Sequence, residues 1–560
     1  MTRSSAFGHE GLRRLGRAVG RRPSPGAGGR LILAILALTL GLAACEGCRS
    51  TATPGGGRAG GDPGAPTLRL YLVSDLAGAL EPCGCTKDQL GGVDHFGAWV
   101  KRDAAQAPSS LVAAAGPLFF MDDARLAGDR AEQDRLKADT LARVLRGLAP
   151  AAFAAFAPGG NDWDDGAEAF AKRAAACGAT PILQDGEALV RDAGGVKVGF
   201  VGYGQGRSVD PSAKATEVVA RGVQDAKRKG AQVLVALAAV GRGEAKRIAD
   251  AVPELTAIVV GSARSSGDSN TSAPQGEQVG DVLIVQGGNH LQSVGVLDLY
   301  VRAPLAAGQP LRFADATGLD LAHKREDLAA RIDDLHVKIA GWERDPRVAP
   351  GDVAARRAEL TALEAQQAAL DTRPPPAKGS FFRYAVKEIR ASLGKDPGVE
   401  ADLLSYYKAV DDHNRVAFAD RAPAQAPPGQ AGYVGVQACT ACHAQPRQVW
   451  NETPHARAYA TLATQFKEFN LECVSCHVTG YEQPGGSTVT HVGVLENVQC
   501  EVCHGPGSKH VADPTDHALI VRRPAPSVCT SCHHPPHVEQ FDVQASMPRI
   551  LGPGHGRPEK

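Results

Sequence analysis

Four strings between residues 439 and 533 share one pattern: Cys439-Thr440-Ala441-Cys442-His443, Cys473-Val474-Ser475-Cys476-His477, Cys500-Glu501-Val502-Cys503-His504 and Cys529-Thr530-Ser531-Cys532-His533. Two thiols at this spacing add to the two vinyl groups of a haem, and the histidine after the second is placed to ligate its iron. Paired C-x-x-C units also form structural zinc sites. Zinc, however, gives no reason for a histidine to follow the second cysteine four times out of four. The expectation is four c-type haems, with all eight cysteines as attachment points and His443, His477, His504 and His533 as iron ligands.

Eleven of the 17 histidines lie in residues 432–560. Besides the four in the motifs they are His455, His491, His510, His517, His534, His537 and His555, of which at most four can be distal ligands. Met547 is the one methionine of this region, so Met/His ligation of several haems is excluded. Mostly bis-histidine iron follows, with the lower potentials that such ligation brings.

Residues 432–555 resemble the tetrahaem cytochrome c family that accepts electrons from hydroxylamine oxidation. The matching residues are Trp450 with Thr453-Pro454-His455-Ala456, then Gly480 and Gly485-Gly486, then Cys500-Glu501-Val502-Cys503-His504-Gly505-Pro506-Gly507. The resemblance implies that His455 and His510 are distal ligands, with His555 in Gly552-Pro553-Gly554-His555-Gly556 a further candidate. It also implies close haem packing, redox proteins as partners, and a five-coordinate iron at the second motif. His491, on a β-like stretch between the second and third motifs, could close that iron. An electron-transfer protein is the first expectation, and a haem enzyme reducing a small nitrogen, oxygen or sulfur species at an open iron is the second.

The elements upstream must position this segment. Residues 67–316 alternate β-rich runs (Leu68–Ser74, Ser110–Ala115, Val196–Tyr203, Gln232–Leu237, Ala257–Gly261, Asp281–Gln286 and Val294–Val301) with helical ones at 130–147, 167–177 and 213–229. Such alternation predicts an α/β domain with a sandwiched sheet. Its turns resemble the calcineurin-like metallophosphoesterases, in particular the nucleotidase branch. Val73-Ser74-Asp75 ends the first strand, Gly160-Asn161-Asp162 follows the third, and Ile258-Val259-Val260-Gly261 precedes the last ligand loop. By that resemblance an active member clamps a phosphate ester between two metals. Here Ala77, Pro117, Asp162, Ala239 and Gly261-Ser262-Ala263-Arg264 stand at ligand positions, and only Asp75 and Asn161 survive. Two ligands cannot make a dinuclear site, so a phosphoesterase fold without phosphoesterase activity is expected. His95, Asp164 and His290 are the residues left for any other site there.

In residues 317–374, Leu321, Leu328, Ile332, Leu335, Ile339 and Trp342, then Val353, Leu360, Leu363 and Leu370, follow a helical spacing. This predicts an antiparallel hairpin or short coiled coil, a spacer with a homodimer contact as the alternative. Residues 375–431 read as a connector, with an apolar run at Leu403–Val410 and a Pro/Ala-rich linker at Ala422–Ala431. Residues 432–560 read as a mainly α, partly irregular tetrahaem domain.

The N-terminus reads as an export signal. Residues 1–44 carry seven arginines against Glu10 alone and end in the apolar run Leu31–Ala44,. Leu42-Ala43-Ala44-Cys45 resembles the bacterial lipoprotein signal, which implies lipidation of Cys45 and a membrane contact through that lipid. Residues 45–66, rich in Gly, Pro, Ser and Thr, form a tether. Glu46 is not the aspartate that holds lipoproteins at the inner membrane, so a periplasm-facing or surface lipoprotein is expected, the outer membrane favoured. Without residues 1–44 the chain has 54 bases against 60 acids, a balance that argues against nucleic-acid binding. Outside the cytoplasm Cys48, Cys83, Cys85 and Cys177 are expected to form disulfides.

Overall fold

A computed structural model describes residues 64–557, apart from 83–88, 122–125, 127, 205–213, 266, 268, 303–305, 307, 345–347, 372–374, 535–536 and 539–540. The export signal and Cys45, Cys48, Cys83 and Cys85 lie outside the described residues. The chain lays down β1 (Leu68–Ser74), α1 (Val93–Ala104), β2 (Ser110–Gly116), α2 (Ala131–Arg146), β3 (Ala152–Pro158), α3 (Ala167–Cys177) and β4 (Thr180–Pro181). Then come β5 (Ala188–Ala193), β6 (Val196–Tyr203), α4 (Ala215–Arg228), β7 (Val233–Ala239), α5 (Arg242–Ala251), β8 (Ala257–Gly261), β9 (Glu277–Val279) and β10 (Val282–Val285). The return runs through β11 (Ser293–Tyr300), β12 (Ala314–Asp315), α6 (Ala322–Trp342), α7 (Pro350–Asp371), β13 (Phe381–Glu388) and α8 (Pro397–Ala417).

These strands make two sheets, ordered β12-β13-β11-β1-β2-β3-β4 and β5-β6-β7-β8-β10-β9. The period of two along each strand sorts the side chains. Leu68, Leu70 and Leu72 of β1 join Val233, Val235 and Leu237 of β7 in the core between the sheets. Tyr71 and Val73 face outward onto α1, α2, α3 and α8, while Leu234, Ala236 and Ala238 face α4 and α5. The result is a helix–sheet–sheet–helix sandwich. Its parallel strands bring Asp75, Gly116 and Gly261 to one end, the carboxyl end where such sheets bind ligands.

Two expectations change here. Residues 375–431 are more than a connector, because β13 pairs with β11 along its length, from Ser293 opposite Glu388 to Tyr300 opposite Phe381. Asp396 caps α8 by accepting the Val399 N–H at 3.0 Å, with Pro397 in the first turn,. From there Val399, Leu403, Tyr406, Tyr407 and Val410 are buried on the outer face of the first sheet. The predicted hairpin is present as α6 and α7. Arg325 reaches the Leu370 carbonyl at one end and Arg357 pairs with Glu343 at the other, an antiparallel arrangement. It does not space two domains, however. β12 and β13 pair in parallel, so the hairpin is the crossover between two strands of one sheet. Leu328, Ile332, Leu335 and Leu363 bury one another, which covers the stripe that suggested a homodimer.

Cys177 also departs from expectation. It is buried, has no disulfide among the described residues, and its S–H donates to the Ala174 carbonyl at 3.1 Å. Burial pushes its thiol up to about 11, the state of an inert core cysteine. Beyond α8 the chain folds into short helices: α9 (Val436–Thr440), α10 (Ala444–Glu452), α11 (Ala458–Ala463), α12 (Val474–His477), α13 (Cys500–His504), α14 (Ser508–Ala512), α15 (Pro526–Thr530) and α16 (Val543–Ser546). Among the described residues no helix is long and apolar enough to cross a membrane.

Candidate haem-binding site

Each C-x-x-C-H string is wound into about one helical turn. The His443 N–H donates to the Cys439 carbonyl and the His533 N–H to the Cys529 carbonyl, both at 2.9 Å. Residues four apart share a helix face, so each of these imidazoles stands on the side of its first thiol. His477 Nδ1 donates to the Ala458 carbonyl and His504 Nδ1 to the Val521 carbonyl, both at 2.6 Å, and His555 Nδ1 to the Ile550 carbonyl at 3.2 Å. A proton fixed on Nδ1 leaves the Nε2 lone pair for a metal.

Three of the motif histidines face a second histidine. Ring centres are 6.4 Å apart for His443 and His510, 5.9 Å for His504 and His555, and 6.3 Å for His533 and His455. Metal–imidazole bonds of about 2 Å on opposite sides of one ion set two ring centres roughly 6 Å apart. The residues present therefore fit iron held between two imidazoles. Burial holds His455, His533 and His555 below the ordinary imidazole range, which keeps them in the neutral, ligating form. His510 Nδ1 is buried without a hydrogen-bond partner among the described residues.

Among the described residues His477 has no such ring partner. His491 does not supply one: it is exposed, and its Nδ1 meets Thr490 Oγ1 at 3.0 Å. His517 lies 6.4 Å from His510, and His534 lies 5.3 Å from His537.

The thiols disclose how the motifs lie together. Cys439 and Cys500 touch, and that contact draws the Cys500 thiol down to about 7. Cys476 and Cys532 touch likewise, drawing Cys476 down to about 6. Burial pushes Cys503 up to about 11, with the charge of Cys529 close by. The four motifs thus run in space as first, third, fourth, second.

Glu501, unremarked as a site residue in the sequence, is buried at 2 % exposure. Its carboxylate accepts from the Val434, Gly435 and Gly507 N–H groups at 3.0, 2.7 and 2.8 Å. It thereby ties the loop before the first motif to the loop after the third. The nearest sequence signal was the Cys500–Gly507 string itself, which gave no hint of the partners.

At the carboxyl end of the sandwich, Asp75 and Asn161, the two residues kept from the expected ligand set, are engaged by the loop at residues 262–265. Asp75 accepts the Ser262 N–H at 2.6 Å and its hydroxyl at 3.0 Å. Asn161 exchanges two hydrogen bonds with the Ser265 backbone, at 2.8 and 3.1 Å. Asp162 turns into the protein, where it accepts from the Leu118, Phe119 and Gly159 N–H groups. Arg264 is held by Asp164 at 2.6 Å. His95 bonds the Gly394 carbonyl and His290 meets Asn270, so His95, Asp164 and His290 do not converge.

Sheet order and motif geometry together define the class: a two-sheet α/β sandwich joined to a segment that carries four C-x-x-C-H motifs. Residues 438–505 match the family model of cytochrome c554 and c-prime. Cytochrome c-554 of Nitrosomonas europaea (strain ATCC 19718) is 33% identical over 99 residues, which cover 15% of this chain and 42% of that protein. The chain thus spans under half the length of this curated relative. Among solved structures, a 5'-nucleotidase precursor from Thermus thermophilus superposes with a TM-score of 0.37 at 17% identity, covering 66% of this chain and 62% of that one. The Thermus thermophilus sulfate thiohydrolase SoxB gives 0.33 at 13%, covering 43% and 55%. The Haemophilus influenzae NAD nucleotidase gives 0.33 at 15%, covering 43% and 48%.

Proposed function

We propose that this chain is an exported, lipid-anchored electron-transfer protein carrying four covalently bound haems. The observation that carries the reading is the set of three imidazole pairs, each joining a motif histidine to a histidine outside any motif. His443 with His510, His504 with His555, and His533 with His455 would hold three irons. The haems supply reversible one-electron transfer. The chain anchors them through eight thioethers, offers neutral imidazoles and keeps the motifs in line. Cys45, behind its apolar run, would take the lipid, with the outer membrane favoured and other redox proteins as partners.

A second reading, reduction of a small nitrogen, oxygen or sulfur species, is favoured by His477, which lacks a ring partner among the described residues. Phosphoester hydrolysis is disfavoured because Asp75 and Asn161 are committed to Ser262 and Ser265. Intact mass of the matured protein, with reduced spectra taken with and without carbon monoxide, tests both readings. Four haems and a carbon monoxide shift from one of them are expected. Fewer haems would remove the corresponding motif from the reading. Absence of any shift would remove the second reading and leave a pure conduit. His491→Ala is expected to change neither spectrum.

A further inference from the structure

Each C-x-x-C-H turn is held by the residues that lead into it, and for three of them, among the described residues, those holds come from the haem segment itself. Ahead of the first motif, Gln499 Oε1 accepts the Val436 N–H at 2.5 Å and Glu501 accepts the Gly435 N–H at 2.7 Å. Gln499, ahead of the third, donates its own N–H to Thr479 Oγ1 at 3.1 Å and its amide to the Val494 and Glu496 carbonyls. Ahead of the fourth, the Ala525 carbonyl accepts the Val528 N–H at 3.0 Å. The second motif differs, because its hold comes from the sandwich.

Gln133 of α2, 1% exposed, applies both ends of its amide to the residues just before Cys473. Its Oε1 accepts the Leu471 N–H at 3.0 Å, and its Nε2 donates to Asn470 Oδ1 at 3.1 Å. Asn470 starts the turn of α12: its side chain accepts the Glu472 N–H at 2.8 Å, and its carbonyl accepts the Cys473 and Val474 N–H groups, both at 3.0 Å,. The Glu472 carboxylate, one residue before Cys473, is ion-paired with Arg130 and Lys137. With Asp134 4.0 Å from Arg130, two cations of the sandwich stand against two carboxylates. Asn414 of α8 completes the hold by donating to the Phe469 carbonyl at 2.8 Å. This is also the motif whose histidine faces no second imidazole among the described residues. His477 is steered only from its own side, by the Ala458 carbonyl on Nδ1 at 2.6 Å.

We propose that the sandwich adjusts one haem of the set, the one on Cys473 and Cys476, with Gln133 as its positioning residue and Lys137 balancing the charge beside it. The proposal rests on the haem reading above. With an imidazole on one side only, the place of the iron follows the turn that carries His477, and α2 fixes that turn. Charge acts on the same centre, since an unbalanced carboxylate nearby favours ferric over ferrous iron and lowers the midpoint. The task gives the sandwich a part in electron transfer that needs no hydrolysis.

Gln133→Leu and Lys137→Met in the full-length, matured protein test it. Intact mass reports haem number and spectroelectrochemical titration reports the midpoints. The Cys473→Ser, Cys476→Ser variant, one haem short, shows which midpoint belongs to the second motif. Gln133→Leu removes both amide bonds at similar volume, and should displace that midpoint while the other three stay, or cost that haem alone. Lys137→Met leaves Glu472 and Asp134 against one cation and should lower the same midpoint, whereas Lys137→Arg, which keeps the charge, should restore it. Should Gln133→Leu fail to mature, the two Lys137 variants decide. A merely structural contact would lower thermal stability and leave all four midpoints at wild-type values. That result, or equal displacement of all four, would overturn the proposal. A double-cysteine variant with the wild-type haem number would instead overturn the reading on which it rests.

Discussion

Glu501 stands between the thiols of the third motif, yet its bonds serve the chain around them. It accepts from three N–H groups in loops on either side of it in sequence. Each donor left buried and unmatched costs about 1–3 kcal/mol. Glu501→Ala is therefore expected to destabilise the haem segment by roughly 3 kcal/mol or more, and Glu501→Gln by less. Denaturant titration followed at the haem absorbance measures both. Asp162 shows the opposite balance. Full burial outweighs its three N–H donors and holds the carboxyl up at about 7. The folded state thus binds this proton more tightly than the unfolded state. Its contribution to stability is fully present below about pH 4, near the ordinary aspartate value, and is lost as pH rises through 7,. The span is on the order of 4 kcal/mol. Asp162→Asn, whatever its constant cost, should flatten that part of the stability–pH curve between about pH 4 and 7; an unchanged slope would assign the titration elsewhere.

At the scale of elements, what the sequence discloses follows the range of the interaction. β1, β6, β8 and α3 appear in the sequence at their observed limits, because alternation and helical spacing are local patterns. β13 stayed hidden, since what makes it a strand is β11, on the far side of the hairpin. The stripe Leu328, Ile332, Leu335 and Leu363 predicted two packed helices correctly, but the same stripe cannot say that both ends of the hairpin return to one sheet. In the candidate site the motifs were fully legible, and His455, His510 and His555 came from resemblance, whereas Glu501 acts through partners no spacing reveals. Because the hairpin closes on itself, Leu363→Ala should cost about 2–4 kcal/mol locally. Hydrogen exchange should then quicken across residues 322–371 while haem midpoints stay put. A change of oligomeric state in that variant would show that the stripe also serves an interface.

Across the whole molecule the sandwich and the segment of C-x-x-C-H motifs meet where Glu81, the first turns of α2 and Asn414 of α8 contact residues 467–472. The purified protein is expected not to hydrolyse nucleotides or simple phosphate esters with added manganese or zinc. Metal-dependent turnover that persists in the Asp75→Ala, Asn161→Ala double variant would reveal a further centre. The spatial order of the motifs has a different consequence. The fourth motif is last in the sequence but stands between the third and the second, as Cys503 beside Cys529 and Cys532 beside Cys476 require. In a series circuit laid out in sequence order, losing the C-terminus would shorten one lead. Here it would remove a middle link, and His555 with it, so a nonsense mutation just before Cys529 should leave the third centre without its facing imidazole and the first and second with no path between them.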